Sequence, residues 1–174
     1  MNISQSDHFN TPNHTNTEDK QDQLTNIDKI ELPKISVLVF FLDQVAYAIE
    51  TKYIKSVSIF TNRTTLHKLP IFCQGIMHVH RKIILLIDLK CFFGISELNE
   101  PSPHVIILNH PNVGMAISSD EIKGVIEISY HKIDTQPLPN KIDKQFIKGT
   151  GSDSIIVLDG KHLIEQLGNY FICA

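Results

Sequence analysis

Nine histidines in 174 residues make metal and proton chemistry the first question. His78 and His80 stand two apart in an apolar run, the spacing that puts two side chains on one face of a strand. A zinc ion there needs further ligands, and His67, Cys73 and Asp88 are of the right type. No zinc-binding spacing joins them, so a small metal-binding β protein remains an alternative that rests on His78 and His80 alone. Nucleophilic catalysis has less behind it. The chain has no G-x-S-x-G elbow and no local Ser, Cys and His signature. Lys148-Gly149-Thr150-Gly151-Ser152 is rich in glycine but lacks the order of a phosphate-binding loop. Asp88 and Asp159 end two apolar runs as single acids, so paired-carboxylate chemistry cannot be assigned to them. These residues describe a chain built to bind rather than to react, with no catalytic set, no cofactor and no enzyme activity expected.

The elements that must hold those residues are strands. Ile accounts for 26 residues and Val for 9, and Trp is absent. β-Branched side chains fit a pleated surface better than a helix. The formal net charge is −3, which leaves no basic excess for tracking a phosphate backbone, so nucleic acid is not an expected partner. The longest apolar run, 35–42, falls far short of the ~20 residues of a spanning helix, so no membrane insertion is expected. The N-terminal segment has neither the basic start nor the apolar core of a secretory signal. Cys73, Cys91 and Cys173 form neither a disulfide framework nor a CxxC pair, and a reduced, cytoplasmic setting fits them.

Residues 1–33 differ from the remainder. The first 34 residues carry six acids and three lysines, and the rest is balanced at 13 and 13, so the whole net charge sits on this tail. It is expected to be disordered, because it cannot bury enough apolar area to offset its ordering entropy. From Ile35 onward, short apolar runs alternate with turn residues. Three hairpins are predicted, turning at Asp43-Gln44, at His80-Arg81-Lys82 and at Asn109-His110-Pro111-Asn112. Tyr53, Ile54 and Val57 suggest a short helical turn that precedes the next strand. Further strands are predicted at 125–128 and 155–158, and a C-terminal helix over 162–167 that Gly168 ends. Regularly spaced short strands argue for small barrels or a sandwich.

The stretch from Gly75 to Gly94, GIMHVHRKIILLIDLKCFFG, resembles the signature of the CheW-like chemotaxis coupling proteins, G-V-I-N-L-R-G-x-x-x-P-V-I-D-L-R-x-x-F-G. Other pieces follow in the family's order. Ile54-Lys55-Ser56-Val57 is similar to its V-x-E-I segment, and 113–128 to its G-L-x-V-D-x-V-x-x-V-x-x-I segment. Phe146-Ile147-Lys148-Gly149 and Ile155-Ile156-Val157-Leu158-Asp159 resemble its closing Y-I-K-G and L-L-D pieces. The resemblance spans about 35–167 and departs at the hairpin. His80 stands at the family's Arg, Arg81 at its Gly, Leu85 at its Pro, and Ser56 at the Glu of V-x-E-I.

The resemblance implies a mostly β fold, in which residues 34–174 form two intertwined five-stranded β-barrel subdomains with short helices. They would be built mainly from 45–103 and 104–155, and closed by the chain ends. Asp88 and Asp159 then fall at equivalent strand ends, where capping of a turn is their expected role. The implied function is a non-catalytic adaptor between the cytoplasmic tip of a chemoreceptor and the regulatory domain of a CheA-type histidine kinase, at membrane-associated receptor arrays. Motif position puts Ile54, Ser56, Val57, Val79 and His80 near the receptor groove and Arg81 and Lys82 at the hairpin tip. For Ile54 and Val57 a simple core role is the rival reading. A diverged barrel that has lost receptor binding and serves as an array or kinase-binding accessory is the alternative function.

Overall fold

The computed structural model describes residues 33–172 except 61, 67, 99–100 and 136–141. The tail expected to be disordered lies outside the described residues except for Pro33, as do His67 and Cys173. Among the described residues there are ten strands: β1 (Lys34–Leu42), β2 (Val45–Glu50), β3 (Ile54–Ile59), β4 (Cys73–Val79), β5 (Lys82–Ile87), β6 (His104–Leu108), β7 (Met115–Ser119), β8 (Glu121–Ser129), β9 (Ile147–Thr150) and β10 (Ile156–Leu158). A one-turn helix, α1 (Leu89–Phe92), follows β5, and a longer one, α2 (Gly160–Ile172), follows β10.

The strands form two five-stranded sheets. The first runs β8-β1-β2-β10-β9 and the second β3-β6-β7-β5-β4. The two orders are the same architecture written twice. In each sheet three antiparallel pairs and one parallel pair occur in the same sequence, with the parallel pairs aligned at Val157↔Ala48 and Leu86↔Ala116. The chain changes sheet around 51–53 and again around Asp120. The sheets therefore do not follow the expected halves 45–103 and 104–155. β2 belongs with β8–β10, and the pair β6 and β7 belongs with β3–β5, because each lies between strands of the other half in the sheet order or pairs with them.

Each sheet also carries one isolated bridge that reaches from beyond one edge strand to the opposite edge: Thr64 to Ile76 in the second, Asp134 to Thr150 in the first. Glycine permits both approaches. Gly75 has φ +131°, and a Cβ there would lie 2.6 Å from the Thr64 carbonyl oxygen; Gly149 has φ +151° and meets the Asp134 carbonyl in the same way.

Burial falls into three groups. Val37, Val39, Ala48, Ile128, Ile155 and Val157 pack on one face of the first sheet. Met77, Ile84, Leu86, Val105, Ile107 and Ala116 pack on one face of the second. A larger core contains Phe40, Leu42, Tyr47 and Ile49 from the first sheet, Ile87, Ile106, Leu108 and Ile117 from the second, and Leu163 and Leu167 of α2. Strand alternation explains this sorting, since Val39 and Phe40 serve opposite faces of one strand.

Three elements differ from the sequence expectation. The segment read as a helical turn at 53–57 is a 3-10 turn at Thr51–Tyr53 followed by strand β3. Gly168 does not end α2 but lies inside it. It is a point of close approach, because a Cβ there would stand 2.7 Å from His110 Nε2. β9, in the glycine-rich stretch, was not among the predicted strands. Asp88 and Asp159 do cap. Asp88 Oδ1 accepts from the N–H groups of Lys90 at 2.9 Å and Cys91 at 3.2 Å, and Asp159 Oδ1 accepts from the N–H of His162 at 3.0 Å.

Candidate functional site

The β4–β5 hairpin turns in two residues. Val79 pairs with Lys82, and His80 and Arg81 take φ +46° and +63°. Positive φ at both turn positions matches the twist of the strands, and it favours Asn or Gly over the residues found here. The turn also ends the strand alternation, so His80 does not continue the face of His78. His78 lies exposed opposite Ile83. Among the described residues no three His, Cys, Asp or Glu side chains gather as a metal site would require. The metal alternative thus has no ligand set there, and His67 lies outside the described residues.

A groove of about 460 Å³ opens beside this turn. One wall is the hairpin, with Arg81, Lys82 and Ile83. The other includes Lys55 of β3 and the β6–β7 loop, with His110 and Val113. Lys55 reaches it through a β-bulge. Ile54 pairs with Leu108 and Ser56 with Ile107, so Lys55 is the extra residue. His110 braces the loop, its Nδ1 accepting from the N–H groups of Asn112 at 3.1 Å and Val113 at 2.9 Å. Ile83 is 59% exposed in the groove.

The first sheet carries an equivalent opening, lined by Lys123, Asp153, Ser154, Ile155, Val39 and Val45 among others. Lys123 is again the bulge residue, between the pairs Val39↔Gly124 and Phe40↔Ile122. The two openings share a bulged lysine and differ at the neighbouring turn. Arg81-Lys82 line one where Asp153-Ser154 line the other.

Of the seven residues expected to contact partners, only Arg81 and Lys82 line the groove. Ile54 is half-buried against the core between the sheets, whereas Val57 is 46% exposed. Val57 pairs with Ile106, so it points to the same face of the sheet as that core residue. Ser56 is exposed, Val79 packs partly against the second sheet's own core, and His80 is exposed at the turn. Sequence reasoning did not single out Lys55, Ile83, His110 or Val113 for the groove. The signal for Lys55 was its place inside an edge strand, visible only once β3 is read as a strand.

Two ion clusters lie outside the groove. Glu50, at the end of β2, is buried and meets Lys148 of β9 and, at 2.5 Å, Lys52. Burial alone raises the Glu50 pKa; the two ammonium groups overcome it and hold the carboxyl below its ordinary value. Asp120, in the β7–β8 turn, accepts from the Ser102 hydroxyl and from the Asp43 N–H at 2.8 Å. Lys90 of α1 bonds Asp43 at 2.9 Å and stands 3.9 Å from Asp120. Burial raises the Asp120 pKa, and Ser102, the Asp43 N–H and Lys90 together bring it below the ordinary range. Both clusters tie strand ends together. Among the described residues no helix is long and apolar enough to cross a membrane.

Comparison with known proteins agrees with this geometry. The family model of the CheW-like domain matches residues 36–168. Chemotaxis protein CheW of Thermotoga maritima is 27% identical over 139 residues, covering 78% of this chain and 91% of that protein. The crystal structure of scaffolding protein TtCheW from Thermoanaerobacter tengcongensis aligns with TM-score 0.64 and 26% identity, covering 75% of this chain and 88% of that one.

Proposed function

Because the chain belongs to the CheW-like family, we propose that it is a non-catalytic adaptor coupling chemoreceptors to a CheA-type histidine kinase, in chemotaxis or a related motility system. The family match across 36–168 on two five-stranded sheets supports a CheW-like scaffold of chemotaxis. Such a protein acts by complementarity. It holds two partners together and shifts the kinase between states without chemistry of its own. Half-buried Ile54 and exposed Val57 offer apolar contact for a helical receptor tip. Ser56, Val79, His80, Arg81 and Lys82 complete the proposed contact set. The proposed location is the cytoplasmic face of receptor arrays.

The test is co-elution of the full chain with the regulatory domain of the host's CheA-type kinase on size exclusion at micromolar concentration. A shared, earlier peak is the expected result, and separate elution removes the kinase from the proposal. A second reading is favoured by the departures at Ser56, His80 and Arg81: an accessory that binds kinase but not receptor. Kinase co-elution without retention by a receptor-tip fragment would establish it.

A further inference from the structure

The groove beside the β4–β5 turn holds positive charge that nothing around it balances. Lys55, Arg81 and Lys82 line it, His110 stands beside them, and no Asp or Glu contributes to its walls. The other anchored lysines have carboxylates: Lys148 meets Glu50, and Lys90 meets Asp43 and Asp120. Among the described residues Lys55, Arg81 and Lys82 make no ion pair. All three side chains are exposed, so this positive charge is open to an anionic partner.

Arg81 adds a backbone penalty, since it holds φ +63° in a turn position that glycine or asparagine fills without strain. The positive φ belongs to the architecture, since Asp153 and Ser154 take +57° and +59° at the equivalent turn, but the charge does not. The equivalent opening of the first sheet keeps the bulged lysine, Lys123, yet has Asp153 and Ser154 at its turn. One copy of the same architecture is charge-balanced and the other is not. The unbalanced one also exposes Ile83.

We propose that this groove docks an acidic segment of a partner protein, with carboxylates against Lys55, Arg81 and Lys82 and one aliphatic side chain on Ile83. The proposal rests on the adaptor reading only in taking the partner to be a protein. Three bases around one apolar contact suit a short segment. A nucleic acid duplex needs a long basic track, and this chain carries a net charge of −3.

The experiment titrates the full chain into a fluorescein-labelled helical peptide of about 20 residues, built of Glu and Leu, at about 50 mM salt, where screening is weak. Saturable binding is expected. Raising salt to about 300 mM should weaken it roughly tenfold, as for contacts between exposed charges. Arg81→Gly and Ile83→Ser should each weaken it comparably, and Lys123→Gln at the equivalent opening should leave it unchanged. Arg81→Gly installs the residue the turn favours, so its melting temperature should hold or rise, and lost binding then cannot come from unfolding. The proposal is overturned if Arg81→Gly binds as the parent does, if Lys123→Gln weakens binding equally, or if a Lys and Leu peptide binds as well. Tighter binding of a DNA duplex also overturns it. Kinase co-elution without peptide binding removes the groove and leaves the adaptor; peptide binding without co-elution does the reverse.

Discussion

Replacing Lys148 by Met isolates a buried charge. Lys148, on β9, reaches across β10 to the Glu50 carboxylate at the end of β2. The Glu50 side chain is 6% exposed and that of Lys148 20%. Lys52 meets the other Glu50 oxygen, but its side chain is 60% exposed, so solvent screens that contact. Removing one partner of a buried pair costs about 3–5 kcal/mol. With Lys52 retained, about half of this remains, so Lys148→Met should destabilise by about 2 kcal/mol at pH 7.

The pH dependence fixes the cause. A carboxyl whose folded pKa is depressed contributes stability that is present above its unfolded value of about 4.3 and is lost as pH falls through the folded value. In the variant, burial acts on Glu50 without Lys148, so its pKa rises and it takes up a proton sooner. The gap between parent and variant in urea unfolding should therefore shrink to under about 1 kcal/mol near pH 4. The pair Glu50→Gln with Lys148→Met should recover most of the loss, since no lone charge is left buried. A gap that stays constant between pH 7 and 4, or that is below about 0.5 kcal/mol at pH 7, refutes the reasoning.

Two further outcomes test the backbone. Gly149→Ala should destabilise by about 2–4 kcal/mol, from strain at φ +151° and collision with the Asp134 carbonyl. Gly151→Ala, two residues on, has φ −84° and only ordinary contacts, so its urea midpoint should hold or rise; equal losses at the two sites would dispose of the close-approach account. Asp88→Ala should cost about 2 kcal/mol and Asp159→Ala about 1, because the first leaves two capped N–H groups without their acceptor and the second one. Denaturant melts that rank them the other way would show that the caps do not set the difference.

Local chemistry made much of the fold legible. The turns at Asp43-Gln44 and His80-Arg81 separate apolar runs, and both appear as two-residue hairpins. Asp88 and Asp159 were readable as caps because a short acid after an apolar run has few other uses. β3 was hidden by its bulge. The extra residue Lys55 shifts the phase, so Ile54 and Val57 point to the same face of the sheet at a spacing of three and imitate a helix. Gly168 misled in another way: glycine is a common helix stop, but here it makes room for His110. The groove was the least legible part. Its bases come from β3 and from the β4–β5 turn, which occupy opposite edges of the sheet order and face each other across one groove only because the sheet curves.

The residues that hold the fold and those that depart from the family pattern at Ser56, His80 and Arg81 are different residues in this chain. The resembling positions Leu86, Ile87, Asp88, Val157 and Leu158 are all buried or capping. The departures at Ser56, His80 and Arg81 are exposed, on an edge strand and in a turn. Each sheet takes strands from both halves of the chain, and the largest core joins the two sheets. A change in that shared packing would therefore disturb both sheets at once. A turn touches neither the shared core nor the two smaller ones, so one opening can turn basic while its counterpart stays balanced. That separation is what allows a doubled fold to present two different faces from one architecture.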